Sequence, residues 1–117
     1  MQIDIHGHET ELTNEVRNYA KSKMEKLGGY GAKIMSIDIT LEEDHNKKES
    51  KAGQARVLIK IAGKDISVKG EGKHIFAAID EVERKAKREI IESKERSGKK
   101  SKLAKSKEIV RKLFRQE

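Results

Sequence analysis

Cysteine is absent from this 117-residue chain, so no disulfide framework, thiolate metal site or thiol catalysis is open to it. Tryptophan is absent too, and only two Phe and two Tyr are present. A platform that stacks unpaired bases needs aromatics on an exposed sheet face, so this scarcity argues against that mode of nucleic-acid binding. No run approaches the roughly eighteen apolar residues of a membrane span. Met1 to His6 also lacks the basic-then-apolar order of a secretory signal. A soluble, cytoplasmic protein with no membrane partner is expected.

Charge is what the chain has in abundance. Charged residues make up 40% of it and apolar residues 34%, which suits one compact domain with a modest core. The net charge of +7 is uneven, because residues 97–117 hold eight Lys/Arg against two Glu. A near-neutral body, residues 1–96, followed by a basic and flexible tail, 97–117, is therefore expected. Lys and Arg brought against phosphates release condensed counterions, so a polyanion, and nucleic acid first, is the partner this balance suggests.

Hydrophobic spacing divides the body into six elements. Gln2 to His6 alternates, with Ile3 and Ile5 on one side, as a half-buried strand does. Thr13 is placed to cap a helix whose apolar positions are Val16, Ala20, Met24 and Leu27, with Gly28 and Gly29 supplying a left-handed end. Met35, Ile37, Ile39 and Leu41 then form one side of a second strand, and Glu43 to Gly53 reads as a mobile charged loop without an apolar anchor. A strand from Ala55 to Ile61, a turn at Ala62 to Lys64 and a strand from Asp65 to Lys69 make a hairpin. A second helix follows on Ile75, Ala78, Ile79, Val82, Ala86 and Ile90 and runs to about Arg96, ending at Ser97 and Gly98. Its start is weakly capped, since Lys73 and His74 stand where Ser, Asp or Asn caps better. The order β-α-β-β-β-α, with one apolar face per element, predicts an α+β fold with two helices packed on one face of a four-stranded sheet.

Chemistry-bearing patterns are few. His6 and His8 near Asp4 and Glu9 could be read as metal ligands, but a turn histidine is the simpler reading, and neither metal nor cofactor is expected. No G-x-S-x-G, phosphate-binding loop or H-E-x-x-H spacing occurs, so no enzyme is expected. Cations on the helices remain. Tyr19, Lys23 and Lys26 share one ridge of the first helix; Lys85 and Arg88 form one on the second, with Arg84 and Lys87 in a neighbouring row. Side by side, these ridges would line a basic surface suited to structured RNA; the plain alternative is a solvated helix face balanced by Glu81, Glu83, Glu89 and Glu92.

In this order, several short patterns resemble the short ribosome hibernation-promoting factors and ribosome-associated inhibitors, the sigma-54 modulation protein family. They are Gly7 with Leu12-Thr13; Val16-Arg17, Tyr19, Lys23-Met24 and Lys26-Leu27; the Ile37 to Glu42 strand; Gly63-Lys64-Asp65; Glu71-Gly72; and Ile75 to Asp80 with Lys85 and Arg88 beyond. The resemblance covers roughly Met1 to Lys94. It implies a fold similar to double-stranded RNA-binding domains and a place on the small ribosomal subunit, against 16S rRNA, in the channel for mRNA and tRNA. Translation would be inhibited by occlusion, in stationary phase and stress, by a monomer. By motif match, Arg17, Lys23, Lys26, Lys85 and Arg88 would contact rRNA, and helical position adds Arg84 and Lys87. The chain departs from many relatives at Lys73-His74 and at Arg56, where acidic residues are usual. Its length leaves no room for the dimerisation domain of long forms, so pairing of ribosomes unaided is not expected. Two alternatives stand beside this reading: a general binder of structured RNA not dedicated to the ribosome, and a protein-interaction module using the polar sheet face or the Ile109 to Phe114 cluster.

Overall fold

The computed structural model describes residues 1–30 and 32–93. Strand β1 (Gln2–Gly7) leads to helix α1 (Asn14–Lys26), a 3₁₀ turn (Leu27–Tyr30) and strand β2 (Ile34–Glu43). After a short 3₁₀ turn (Glu49–Lys51) come β3 (Gly53–Ile61) and β4 (Lys64–Gly72). Helix α2 occupies residues 75–93 of the described chain. The expected end of this helix at Ser97 and Gly98, and the tail 97–117, lie outside the described residues.

The four strands form one sheet in the order β1-β2-β3-β4. β1 and β2 run parallel, with Ile3 opposite Ile37 and Ile5 opposite Ile39. A parallel pair needs a crossover, and α1 supplies it. β2, β3 and β4 form an antiparallel meander in which Ile39 faces Val57 and Val57 faces Val68. Residues opposite one another share a face, so these side chains make a continuous apolar surface. Both helices cover it: Ala20, Met24 and Leu27 of the α1 segment and Ala78, Ile79, Val82, Ala86 and Ile90 of α2 are completely buried. Each large aliphatic side chain so buried contributes about 1.5–3 kcal/mol before entropy is charged against it. The other sheet face is uncovered and carries polar rows, among them His6, Thr40, Arg56 and Lys69 in register.

Local chemistry explains where the elements begin. Thr13 accepts a hydrogen bond from the Val16 amide at 3.1 Å and caps α1. At α2 the weak cap expected from the sequence is corrected: the His74 ring Nδ1 accepts from the Ala77 amide at 3.2 Å, and its carbonyl accepts from Ala78 at 3.1 Å. An imidazole nitrogen here does the work usually given to a hydroxyl or carboxylate.

Four other expectations are revised. Met35 is 62% exposed while Ile34 is buried, because a bulge between Ile34 and Ser36 puts one extra residue on β2 and reverses the alternation there. Gly28 and Gly29 do not end α1 in the left-handed region; the chain tightens into the 3₁₀ turn, where Leu27 is fully buried and its amide bonds back to Met24 and Glu25. The charged loop does have an anchor: Ala52 is buried, and the Asp44 amide closes the loop on the Ala52 carbonyl at 2.8 Å. Finally, β3 starts at Gly53 and β4 continues to Gly72, beyond the Ala55 and Lys69 limits read from alternation. The added residues include glycines because α2 lies almost on the strand backbone. A Cβ on Gly70 would stand 2.8 Å from the Val82 nitrogen, and one on Gly53 only 2.2 Å from the His74 carbonyl carbon. Glycine there lets the helix bed down, and an apolar alternation test does not register a residue without a side chain.

Candidate nucleic-acid interface

The two helices lie side by side and run the same way, since Tyr19 meets Phe76 and Asp80 while Tyr30, further along, meets Lys87. Their outward surfaces carry all seven cations singled out from the sequence, but the structure sorts these into three groups.

The first lies in the seam between the helices. Tyr19 Oη donates to Asp80 Oδ1 at 2.5 Å, Lys23 Nζ stands 3.5 Å from the same oxygen, and the Tyr19 ring meets Phe76 edge-on at 5.1 Å. Lys23 also sits 5.4 Å from the centre of the Tyr19 ring. The hydrogen bond to Asp80 raises the Tyr19 pKa above 10.0, its ordinary value; burial and the Asp80 charge add to this and Lys23 partly offsets it. For Lys23 desolvation pulls the pKa down, but attraction to Asp80, helped by Tyr19 and Glu83, outweighs it and the net shift is upward. Lys23 is thus a fully charged ammonium already facing an acid.

The second group belongs to the sheet edge. Lys85 Nζ donates to the Lys69 carbonyl at 2.9 Å, and Glu81 accepts from the Glu71 amide at 3.2 Å. Lys85 and Glu81 are themselves 3.6 Å apart, and Arg84 is 3.4 Å from Glu81. Two side chains of α2 therefore stitch β4, an edge strand, satisfying backbone groups that would otherwise invite pairing by another chain.

The third group is available. Arg17 leans over β1, with a long 3.4 Å contact to the Ile5 carbonyl, on the flank of α1 away from the seam. Lys26 is exposed in the last turn of α1. Lys87 lies 5.3 Å from the centre of the Tyr30 ring, and Arg88 is exposed beside Ile91 and Glu92. Among the described residues none of these four is in an ion pair with a carboxylate. The shared ridge expected from helical spacing is therefore broken up: Arg17 lies on the β1 side of α1, Lys87 reaches Tyr30 across the seam, and the middle of the seam holds Asp80 paired with Lys23.

Sequence reasoning missed Asp80, Tyr30 and His74 as participants. Asp80 sits next to the apolar stripe, a position that hinted at contact with the neighbouring helix, but its partner Tyr19 lies 61 residues away in the chain. Among the described residues His6 and His8 join no metal-type cluster: His6 is 3.7 Å from Asp38, and His8 lines a cleft on the uncovered face with Thr40, Arg56 and Lys69.

Comparison with known proteins is consistent along most of the chain. The sequence model of the sigma 54 modulation protein / S30EA ribosomal protein family matches residues 3–97. The ribosome hibernation promoting factor of Azotobacter vinelandii is 26% identical over 96 residues, covering 82% of this chain and 85% of the relative. That of Salmonella typhimurium is 28% identical over 96 residues, covering 82% and 96%. Among solved structures, the N-terminal domain of Thermus thermophilus Protein Y superposes with a TM-score of 0.67 at 21% identity, over 79% of this chain and 98% of that one. A ribosomal subunit interface protein from Coxiella burnetii gives the same TM-score of 0.67 at 18% identity, over 80% and 98%. At such identities the structural likeness speaks for the fold.

Proposed function

The chain belongs to the sigma 54 modulation protein / S30EA ribosomal protein family, and on that footing we propose that it is a ribosome hibernation factor. It binds 16S rRNA in the mRNA and tRNA channel of the small subunit and inhibits translation by occupying that channel. The observation that carries this reading is the match to hibernation promoting factors over 85% and 96% of their own lengths, which takes in both cation-bearing helices. Occlusion asks for a rigid body of the right shape and for phosphate contacts; no bond is made or broken. The sheet supplies the rigidity, and Arg17, Lys26, Lys87 and Arg88 supply charges not already committed to carboxylates. Lys23, Arg84 and Lys85 contribute only by exchanging or sharing their present partners. The protein acts in the cytoplasm as a monomer; among the described residues no helix is long and apolar enough to cross a membrane.

Co-sedimentation with purified small subunits tests the proposal. The protein should pellet with them, and mRNA with initiator tRNA should displace it. Binding that those ligands leave untouched would reject occlusion. A general binder of structured RNA would instead hold any duplex as tightly as the subunit, with the steep salt dependence of nonspecific phosphate contacts.

A further inference from the structure

We infer that Asp80 is a specificity-determining residue that keeps phosphate out of the seam between the helices. This deepens the proposed ribosome-binding role and rests on it. The seam is a natural approach for a phosphodiester backbone, because both helices bring cations to it, Lys23 from α1 and Lys87, over Tyr30, from α2. At its middle, however, Asp80 is anchored by Tyr19 at 2.5 Å and faces Lys23 at 3.5 Å. Glu83, one turn on, adds its attraction to the same ammonium. Asp80 pairs with that lysine directly, and Glu83 draws it from further off. The depression over α2 beside it is lined by Ala77, Asp80, Glu81, Glu83, Arg84 and Lys87, so three acids meet two cations.

A phosphate entering at this point must separate Lys23 from Asp80 and then remain beside the displaced carboxylate. Uncharged donors of RNA, such as ribose hydroxyls and base amino groups, meet no such penalty, and the outward carboxylate oxygen can accept from them. An RNA whose phosphates fall away from Asp80, near Arg17 over β1 or near exposed Arg88 on α2, is accommodated. A generic duplex laid along the seam is not. Discrimination of this kind comes from a repulsive element aimed at wrong partners, at some cost in raw affinity.

The charge can be removed with little change of shape. Asp80→Asn keeps an oxygen for the Tyr19 hydroxyl and loses the negative charge, while Tyr19→Phe removes the hydrogen bond and leaves the charge. Each variant and the parent protein would be titrated with purified small subunits and with a short RNA duplex of arbitrary sequence, over a range of salt. Asp80→Asn should tighten duplex binding about fivefold and steepen its salt dependence by about one phosphate contact. Its small-subunit affinity should be unchanged or weaker, so the preference for the subunit falls. Tyr19→Phe should keep the preference of the parent protein.

Equal tightening on both ligands, or no tightening on the duplex, would overturn the inference. So would loss of preference in Tyr19→Phe equal to that in Asp80→Asn, since helix spacing would then be responsible. If the parent protein itself shows no preference for the subunit, the ribosome-binding proposal fails and the inference falls with it. That outcome is visible before any variant is compared.

Discussion

Helix α2 carries like residues with unlike duties on two parts of its surface. Along the margin over β4, Glu81 and Lys85 are bound to the strand backbone through Glu71 and Lys69. Along the outer surface, Lys87 stands by an aromatic ring and Arg88 has no carboxylate partner among the described residues. A lysine three positions from an arginine looks like one ridge on a helical projection, yet the first holds the fold together and the second is free to bind. A cation's use is decided by what lies beneath it, and a count of positive residues overstates the charge available to RNA.

The strongest attack on this contrast is to lift α2 from its bed. Gly70→Ala would place a methyl group 2.8 Å from the Val82 nitrogen and 2.9 Å from the Ala78 carbonyl. Backbone cannot swing aside as a flexible side chain can, so thermal unfolding should show a loss of about 2–3 kcal/mol. An unchanged melting temperature would mean that the helix has slack over β4, and the stitching by Glu81 and Lys85 would lose its rationale.

A paired substitution sharpens the comparison. Lys85→Glu removes the bond to the Lys69 carbonyl and sets a carboxylate against Glu81, so it should destabilise the protein by about 1–2 kcal/mol. Arg88→Glu should leave stability within about 0.5 kcal/mol, because the side chain is exposed and unpaired. It should nevertheless weaken small-subunit binding and lower its salt slope by about one. Denaturation and binding measured on the same preparations would separate the two; equal stability of both variants would erase the distinction between margin and outer surface.

The smallest effect belongs to the seam and concerns pH. Tyr19 and Lys23 both have raised pKa values in the folded protein. A group held above its unfolded value contributes stability that is complete below that unfolded value, near 10 for both, and is lost as pH rises through the folded one. Stability from this cluster should therefore be level from neutral pH to about 9 and decline above about 10. Phenolate absorbance should report one tyrosine ionising above the ordinary value, and Tyr19→Phe should remove it. A late phenol persisting in that variant would mean the shift had been assigned to the wrong ring.

Legibility from the sequence followed the range of each interaction. Strands and helices repeat their apolar residues at 2.0 and 3.6 positions, and a hairpin with a two-residue turn between Ile61 and Lys64 is a local event. The meander, the amphipathic helices and the Thr13 cap were accordingly readable. Reading went astray where a residue's neighbours, rather than its period, set its place. Met35 looked inward until the bulge turned it out, and Gly53 and Gly70 looked like loop or strand end until a helix was laid on them. His74 looked like a poor cap because its ring geometry, and not its residue class, makes the bond to Ala77. The family itself was legible through ordered motifs, since these preserve local spacing.

By itself, the sequence settled the order of elements, the sides they bury, and the richness of the helices in lysine and arginine, because each is written in residues a few positions apart. Only the tertiary structure decided which of those charges are spent within the protein. Tyr19 and Asp80 are 61 residues apart, and Lys85 finds Lys69 across the turn that joins β4 to α2. Electrostatic partnership depends on distance in space, and chain packing brings together acids and bases that no periodicity connects.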